Sequence, residues 1–229
     1  MSELEICKLA YEGQTGRLKT KIDENNDLIR ATDSAGRIPL HWASSGGRKD
    51  IVDYLLQMGS EVDAKDDSKW TPLIIASSVG REDIVLALIE KGADVNAVNQ
   101  MGQCALHYAA SKNKFEVAEL LLRYNANINI GDHMGSTPLH RAASKGNSKI
   151  VRLFLSQKKL DLQPQDCAGN TPLHLGCEDN QVESVLLLIE AGASLDIINK
   201  EKKTPLQLAP ITLRNLIQQK QETANKLHC

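Results

Sequence analysis

Thr137-Pro138-Leu139-His140-Arg141-Ala142-Ala143 has counterparts along almost the whole chain. Its first four positions recur as Ile38-Pro39-Leu40-His41, Thr71-Pro72-Leu73-Ile74, Cys104-Ala105-Leu106-His107, Thr171-Pro172-Leu173-His174 and Thr204-Pro205-Leu206-Gln207. The leucines stand at 40, 73, 106, 139, 173 and 206, so the intervals are 33, 33, 33, 34 and 33. A fixed period of this length marks an array whose units bury their apolar faces only against neighbouring units. Such an array offers an extended surface for binding and rarely a catalytic site.

Each unit reads in the same order. Seven residues before the leucine stands Asp33, Asp66, Asn99, Asp132, Asp166 or Asn199, and four before it Gly36, Gly102, Gly135 or Gly169, with Lys69 and Lys202 in the glycine's place twice. Asp and Asn fold back on the backbone and Gly accepts positive φ, so each segment predicts a tight finger ahead of a helix. Thr-Pro then opens that helix, the hydroxyl capping a free N–H and the Pro filling a position that needs no donor. Ile38 and Cys104 stand where the others have Thr, and their helices are expected to lose a cap worth roughly 1 kcal/mol. Ala43, Ala76, Ala109, Ala110, Ala142 and Ala143 let successive first helices approach closely.

A second helix follows with aliphatics at i, i+1, i+4 and i+5: Ile51, Val52, Leu55 and Leu56, and in later units Ile84 to Ile89, Val117 to Leu122 and Ile150 to Leu155. This is one apolar face at helical period. Gly59, Gly92 and Gly192, with Asn125, end these helices in the left-handed way. The extra residue of the 34-residue interval falls in 157–164, which predicts a longer loop there. At the ends, Cys7, Ala10, Gly13, Leu18 and Ile22 repeat the register of the next unit, and Leu213, Leu216 and Ile217 line one side of a helix over 211–221 after Pro210.

Period, Thr-Pro-Leu-His motif and helix pair together resemble the ankyrin-repeat family. The resemblance implies an all-α solenoid of seven helix-turn-helix repeats with β-hairpin finger loops. It predicts one domain over 1–229, with repeats at about 1–36 (N-terminal cap), 37–69, 70–102, 103–135, 136–169, 170–202 and 203–229 (C-terminal cap).

Composition narrows the function. Aromatics make up 3% and hydrophobic residues 41% of the chain, as thin aliphatic helical layers require. A net charge of −2 without a Lys/Arg stripe speaks against nucleic acid. Cysteines at 7, 104, 167, 177 and 229 are odd in number and scattered, which suits a reducing compartment. The acidic start Met1-Ser2-Glu3-Leu4-Glu5 resembles no targeting segment, and the run Val185 to Ile189 is too short to cross a membrane. No phosphate loop, nucleophile elbow or zinc-helix motif is present, so neither an enzyme nor a cofactor or metal is expected. The motif histidines lie a repeat apart, too far to share a metal. Cys104 three residues before His107 suggests a nucleophile and base, but both occupy packing positions. Leu175-Gly176-Cys177-Glu178-Asp179 resembles the L-x-C-x-E peptide of retinoblastoma-type pockets, with Asp179 for the final Glu. A place inside a first helix would keep that peptide from binding extended.

The positions not consumed by packing are the finger tips and the free side of each first helix. They hold Arg37, Trp42 and Ser45, then Asp67, Lys69, Trp70, Ile75 and Ser78. Gln100, Met101, Gln103, Tyr108, Ser111 and Lys112 follow, and then His133, Met134, Arg141 and Lys145. Trp, Tyr and Arg are the residues that most often dominate interface energy. Mixed charge predicts a partner helix of both signs. Charge reversal at Arg37 or Lys112 is expected to weaken binding with little change in melting temperature.

Leu40-His41-Trp42-Ala43, Lys65-Asp66-Asp67 with Trp70, Gly92-Ala93 with Val95 through Gln100, Leu106 through Asn113, and Asn199-Lys200-Glu201 with Lys203 through Gln207 resemble the gankyrin family. What that resemblance implies is a non-catalytic, monomeric, cytoplasmic and nuclear chaperone of 26S proteasome assembly. Its concave face would grip the C-terminal domain of one base ATPase, and Arg37, Asp67, Trp70 and Lys112 match positions implicated in that grip. The family is also associated with a cyclin-dependent kinase, the retinoblastoma protein and a p53-directed ubiquitin ligase. Asp179, Ile74 and the 156–164 loop depart from the pattern, and an ankyrin inhibitor or adaptor for a kinase or transcription factor outside the proteasome remains open.

Overall fold

The computed structural model describes residues 2–227 and the side chains of residues 4–220. The readings that touch Met1 and Cys229 lie outside the described residues. Two compact units divide the chain, one ending at Asn127 and the other beginning at Ile128. The first unit holds α1 (Ser2–Glu12), α2 (Thr15–Glu24), a 3-10 turn (Asn26–Arg30), α3 (Pro39–Gly46), α4 (Lys49–Gln57), α5 (Pro72–Val79), α6 (Glu82–Glu90), α7 (Ala105–Ser111) and α8 (Phe115–Arg123). The second holds α9 (Pro138–Ser144), α10 (Ser148–Leu155), α11 (Pro172–Glu178), α12 (Val182–Glu190), α13 (Pro205–Leu208) and α14 (Ile211–Leu227). These are seven helix pairs among the described residues. Within each unit first helices pack on first helices and second on second: α1, α3, α5 and α7, with α4, α6 and α8; then α9, α11 and α13, with α10 and α12.

The aliphatic face of each second helix is the core. Ile51, Val52, Leu55, Ile84, Val85, Leu88, Ile150, Val151 and Phe154 are wholly buried, while Leu56, Ile89, Leu122 and Leu155 at the fourth expected position are half-buried flanks. Ala43, Ala76, Ala109 and Ala142 have no exposed surface where first helices meet. At Gly46 a Cβ would run into the Tyr11 carbonyl, which is how closely α1 and α3 approach. Cys7, Ala10, Leu18 and Ile22 complete the core of the first repeat, and Leu213 and Ile217 that of the last.

The fingers are turns and not β-ladders. An isolated antiparallel bridge, Val98 to Cys104, is the strand-like pairing found among the described residues. The reason is local: in every finger the Asp or Asn Oδ1 takes the N–H groups two and four residues on, for example Ala35 and Arg37 on Asp33 at 2.8 and 3.0 Å, leaving few for a ladder. Lys69 and Lys202 adopt φ of 60° where the other fingers have glycine. Neighbouring fingers are tied by the N–H of Asp67 to the Ala35 carbonyl and of Gln100 to that of Ser68, and in the second unit by Cys167 to Met134 and Lys200 to Ala168.

Helix starts carry a further bond beside the expected hydroxyl cap. Ile38 and Cys104 lack a capping hydroxyl, yet their N–H groups are satisfied, because the Nδ1 atoms of His41 and His107 accept them at 3.2 Å. His140 and His174 do the same for Thr137 and Thr171 at 3.0 and 3.1 Å. Gln207 Oε1 replaces the imidazole for Thr204 at 2.9 Å. The Thr71 hydroxyl accepts the Ile74 N–H, as those of Thr171 and Thr204 accept the N–H groups of His174 and Gln207. The motif histidine thus serves the N–H of the residue before the helix, a different donor from the one the Thr hydroxyl serves three residues on, and at Ile38 and Cys104 the hydroxyl cap is absent as expected.

Candidate protein-recognition surface

In the first unit the side chains singled out on α3 and its finger come together. Trp42 donates its indole N–H to Asp33 Oδ2 at 2.9 Å, and the Arg37 guanidinium carbon lies 5.6 Å from the Trp42 ring. Arg37 Nε donates to Asp66 Oδ2 at 2.9 Å, and that carboxylate side chain is only 2% exposed. Burial pushes the Asp33 carboxyl upward, but the N–H groups of Arg37 and Ala35, the Trp42 indole and the Arg37 charge together hold its pKa below the ordinary carboxylate value. Arg37 is therefore no silent surface cation: reversing its charge would also leave Asp66 Oδ2 unpaired, so a stability-neutral reversal is to be expected only of exposed Lys112.

Tyr11, on α1, meets Trp42 edge to face with centroids 5.8 Å apart. Beside them a hollow of about 310 Å³ is lined by Leu4, Cys7, Lys8, Tyr11 and Trp42. Sequence reading missed Leu4 and Tyr11; their spacing of seven on a helix that also buries Ile6, Leu9 and Ala10 was the available signal.

A second group forms on α7. Trp70 lies 4.5 Å from the Tyr108 ring at 45°, the Tyr108 hydroxyl donates to Gln103 Oε1 at 2.6 Å, and Asn99 Nδ2 donates to that hydroxyl at 2.9 Å. Around these groups Asp67, Lys69, Gln100, Met101 and Lys112 are exposed, and Ser45, Ser78 and Ser111 half-buried. Asp67 lies across Gly36, where a Cβ would collide with its carboxylate. Ile75 corrects the expectation: it is only 7% exposed, because α5 packs between α3 and α7 and an aliphatic side chain in that register is covered.

In the second unit Met134 is 57% exposed, and Arg141 is half-buried with its guanidinium on Asp132 Oδ2. His133 and Lys145 are exposed. Leu175 and Cys177 lie inside α11, Cys177 wholly buried with its thiol pushed up to about 12 by desolvation, and Asp179 caps the helix and accepts the Ser144 hydroxyl at 2.6 Å. The L-x-C-x-E-like stretch is therefore folded helix.

Profile models described as "Ankyrin repeats (3 copies)" match residues 3–99 and 96–166, and one described as "Ankyrin repeat" matches 168–200. The chain belongs to the ankyrin-repeat family. It resembles the crystal structure of the human ASB11 ankyrin repeat domain with a TM-score of 0.83 at 26% identity, over 92% of this chain and 94% of that one. Over 70 residues it is 51% identical to the human and 48% identical to the mouse 26S proteasome non-ATPase regulatory subunit 10. That stretch is 31% of this chain and 31% and 30% of those proteins, so the match spans less than a third of these curated relatives. Human Ankyrin repeat family A protein 2 is 37% identical over 60 residues, 26% of this chain and 19% of that protein.

The chemistry present suits an ankyrin binding surface. Cys104 Sγ lies 3.2 Å from His107 Nδ1, but the thiol has no exposed surface and burial raises its pKa, so it is neither ionised nor reachable. His41, His140 and His174 are wholly buried, and each spends its Nε2 on a carbonyl of the next ankyrin finger, at Trp70, Asn170 and Lys203. No group of three or more metal-binding side chains is found among the described residues, nor a helix long and apolar enough to cross a membrane.

Proposed function

We propose that this ankyrin-repeat scaffold serves assembly of the proteasome regulatory particle by holding the C-terminal domain of one base ATPase. The face built by Arg37, Trp42, Trp70, Tyr108 and Lys112 is where we place the grip. The identity of about half over 70 residues to proteins named 26S proteasome non-ATPase regulatory subunit 10 carries this reading. The surface supports it: aromatic rings, an ion-paired Arg37 and unpaired exposed lysines suit a helical partner of mixed charge. Action as a monomer in cytoplasm and nucleus belongs to the same proposal.

A cyclin-dependent kinase, the retinoblastoma protein and a p53-directed ubiquitin ligase are further candidates on the resemblance to gankyrin. For retinoblastoma, burial of Cys177 in α11 opposes use of Leu175, Cys177 and Asp179 as an extended peptide.

Pull-down of the purified base ATPase C-terminal domains, each tested singly with the full chain, decides the matter. Selection of one domain, lost on Lys112→Glu without loss of the folded state, is the expected result. Binding to none overturns the proposal and favours an inhibitor or adaptor for a kinase or transcription factor.

A further inference from the structure

The finger Asp or Asn has two side-chain atoms to spend, and only the first has the same duty everywhere. Oδ1 of Asp33, Asp66, Asn99, Asp132, Asp166 and Asn199 accepts the N–H groups two and four residues on, all at 2.8–3.0 Å. Carboxylate and amide perform this duty equally. The second atom is free to hold something else. In three fingers it takes the side chain nine residues on: Asp33 holds Trp42, Asn99 holds Tyr108, and Asp132 holds Arg141. Each of those residues ends in a hydrogen-bonding group. In the other three fingers the residue nine places on is aliphatic, Ile75, Leu175 or Leu208, and in two of these, those of Asp66 and Asn199, the second atom reaches back 29 residues to the preceding finger. There Asp66 accepts from Arg37 Nε at 2.9 Å, and Asn199 Nδ2 donates to Asn170 Oδ1 at 2.8 Å.

We propose that the finger Asp or Asn is a positioning residue for the recognition surface, and that the residue nine places on selects which side chain it fixes. Asp66 is the sharpest case. Because Ile75 offers no donor, Asp66 is released to Arg37 and sets the guanidinium beside Trp42, with the terminal nitrogens left to face a partner. A charge-assisted bond to a carboxylate 2% exposed holds a long flexible side chain in one geometry, which lowers the ordering cost at binding. The ligand-facing arm rests on the protein-binding reading of this face; the intramolecular arm does not.

Two substitutions test it. Asp66→Asn keeps the Oδ1 duty, as Asn99 and Asn199 show, but presents an amide NH2 to Arg37 Nε. Ile75→Arg supplies a donor nine places on, as Arg141 does for Asp132, and should draw Asp66 away. Nitrogen-15 NMR of the arginine Nε–H groups in the full chain reads both. The Arg37 Nε–H should lose its protection from solvent exchange in each variant, while the Ser68 and Trp70 amides stay protected in Asp66→Asn. Retained protection of Arg37 in Asp66→Asn overturns the proposal whatever the partner, and that variant decides alone if Ile75→Arg does not fold. Against a base ATPase C-terminal domain that the chain captures, Asp66→Asn should weaken binding about tenfold and add nothing in an Arg37→Ala background. An equal, additive loss in both backgrounds would mean that Asp66 acts otherwise than through Arg37.

Discussion

Acidification should act on the motif histidines. In His41, His140 and His174, Nδ1 accepts a backbone N–H and Nε2 donates to a carbonyl, so the neutral ring is fully used and an added proton would face a donor. Desolvation is the largest influence on each and, against the partial help of those carbonyls, holds the pKa below the ordinary 6.5. Below that value the unfolded chain takes up protons the folded chain refuses. The stability contributed by these rings is therefore complete above the unfolded value and is lost as pH falls from 6.5 toward the depressed folded values. Between about pH 7.5 and about pH 5.5 the loss is at most about 1.4 kcal/mol per ring, or about 4 kcal/mol for three. Urea denaturation at a series of pH values measures it. Gln207 shows the control, since its amide oxygen accepts the Thr204 N–H without titrating. The triple variant His41→Gln, His140→Gln, His174→Gln should start less stable at neutral pH, having lost its carbonyl bonds, but lose much less on acidification. A variant as pH-sensitive as the parent would refute the reasoning.

Asp63→Asn should raise the unfolding free energy measured by urea denaturation at neutral pH by up to about 1 kcal/mol, because burial first and then the Asp94 and Glu61 charges push this carboxyl upward, and one of its oxygens is buried without a partner. The gain should vanish in acid, where Asp63 takes up its proton. In the same register Asn129 accepts the Asp161 N–H and donates to the Lys159 carbonyl, so an amide fits. Cys104→Thr should stabilise by roughly 0.5–1 kcal/mol in thermal melts by adding the hydroxyl that Thr137 and Thr171 provide beside the histidine; a lower midpoint would show that the pocket around Sγ cannot take the methyl. Gly46→Ala should cost about 1–3 kcal/mol through collision with the Tyr11 backbone, and an unchanged midpoint would mean that α1 yields freely.

Much of this was legible in order. Leucines a repeat apart, Asx seven residues ahead and paired aliphatics on the second helix specify helix pairs, turns and a buried face, because those depend on neighbours close in the chain or one period away. The candidate recognition residues were only partly legible. Trp42 and Tyr108 read as surface candidates and are half-buried ones, but Ile75 shares their register and is covered, since exposure depends on what α3 and α7 place around it. The motif histidine could be assigned a packing role from spacing, yet its capping of Ile38 and Cys104 could not, since that needs the ring's orientation.

The amino-acid order by itself determined the repeat, its number of units, the turn chemistry of each finger and the absence of any catalytic motif, all of which follow from local propensity and period. Only the tertiary structure decided that Asp66 serves Arg37 while Asp33 serves Trp42, that Tyr11 closes on Trp42 and that Cys104 is out of reach. Such choices rest on distances between residues tens of positions apart, where a free donor or acceptor takes whichever partner the stacked neighbour brings within hydrogen-bonding range, and where burial is set by the helices on either side.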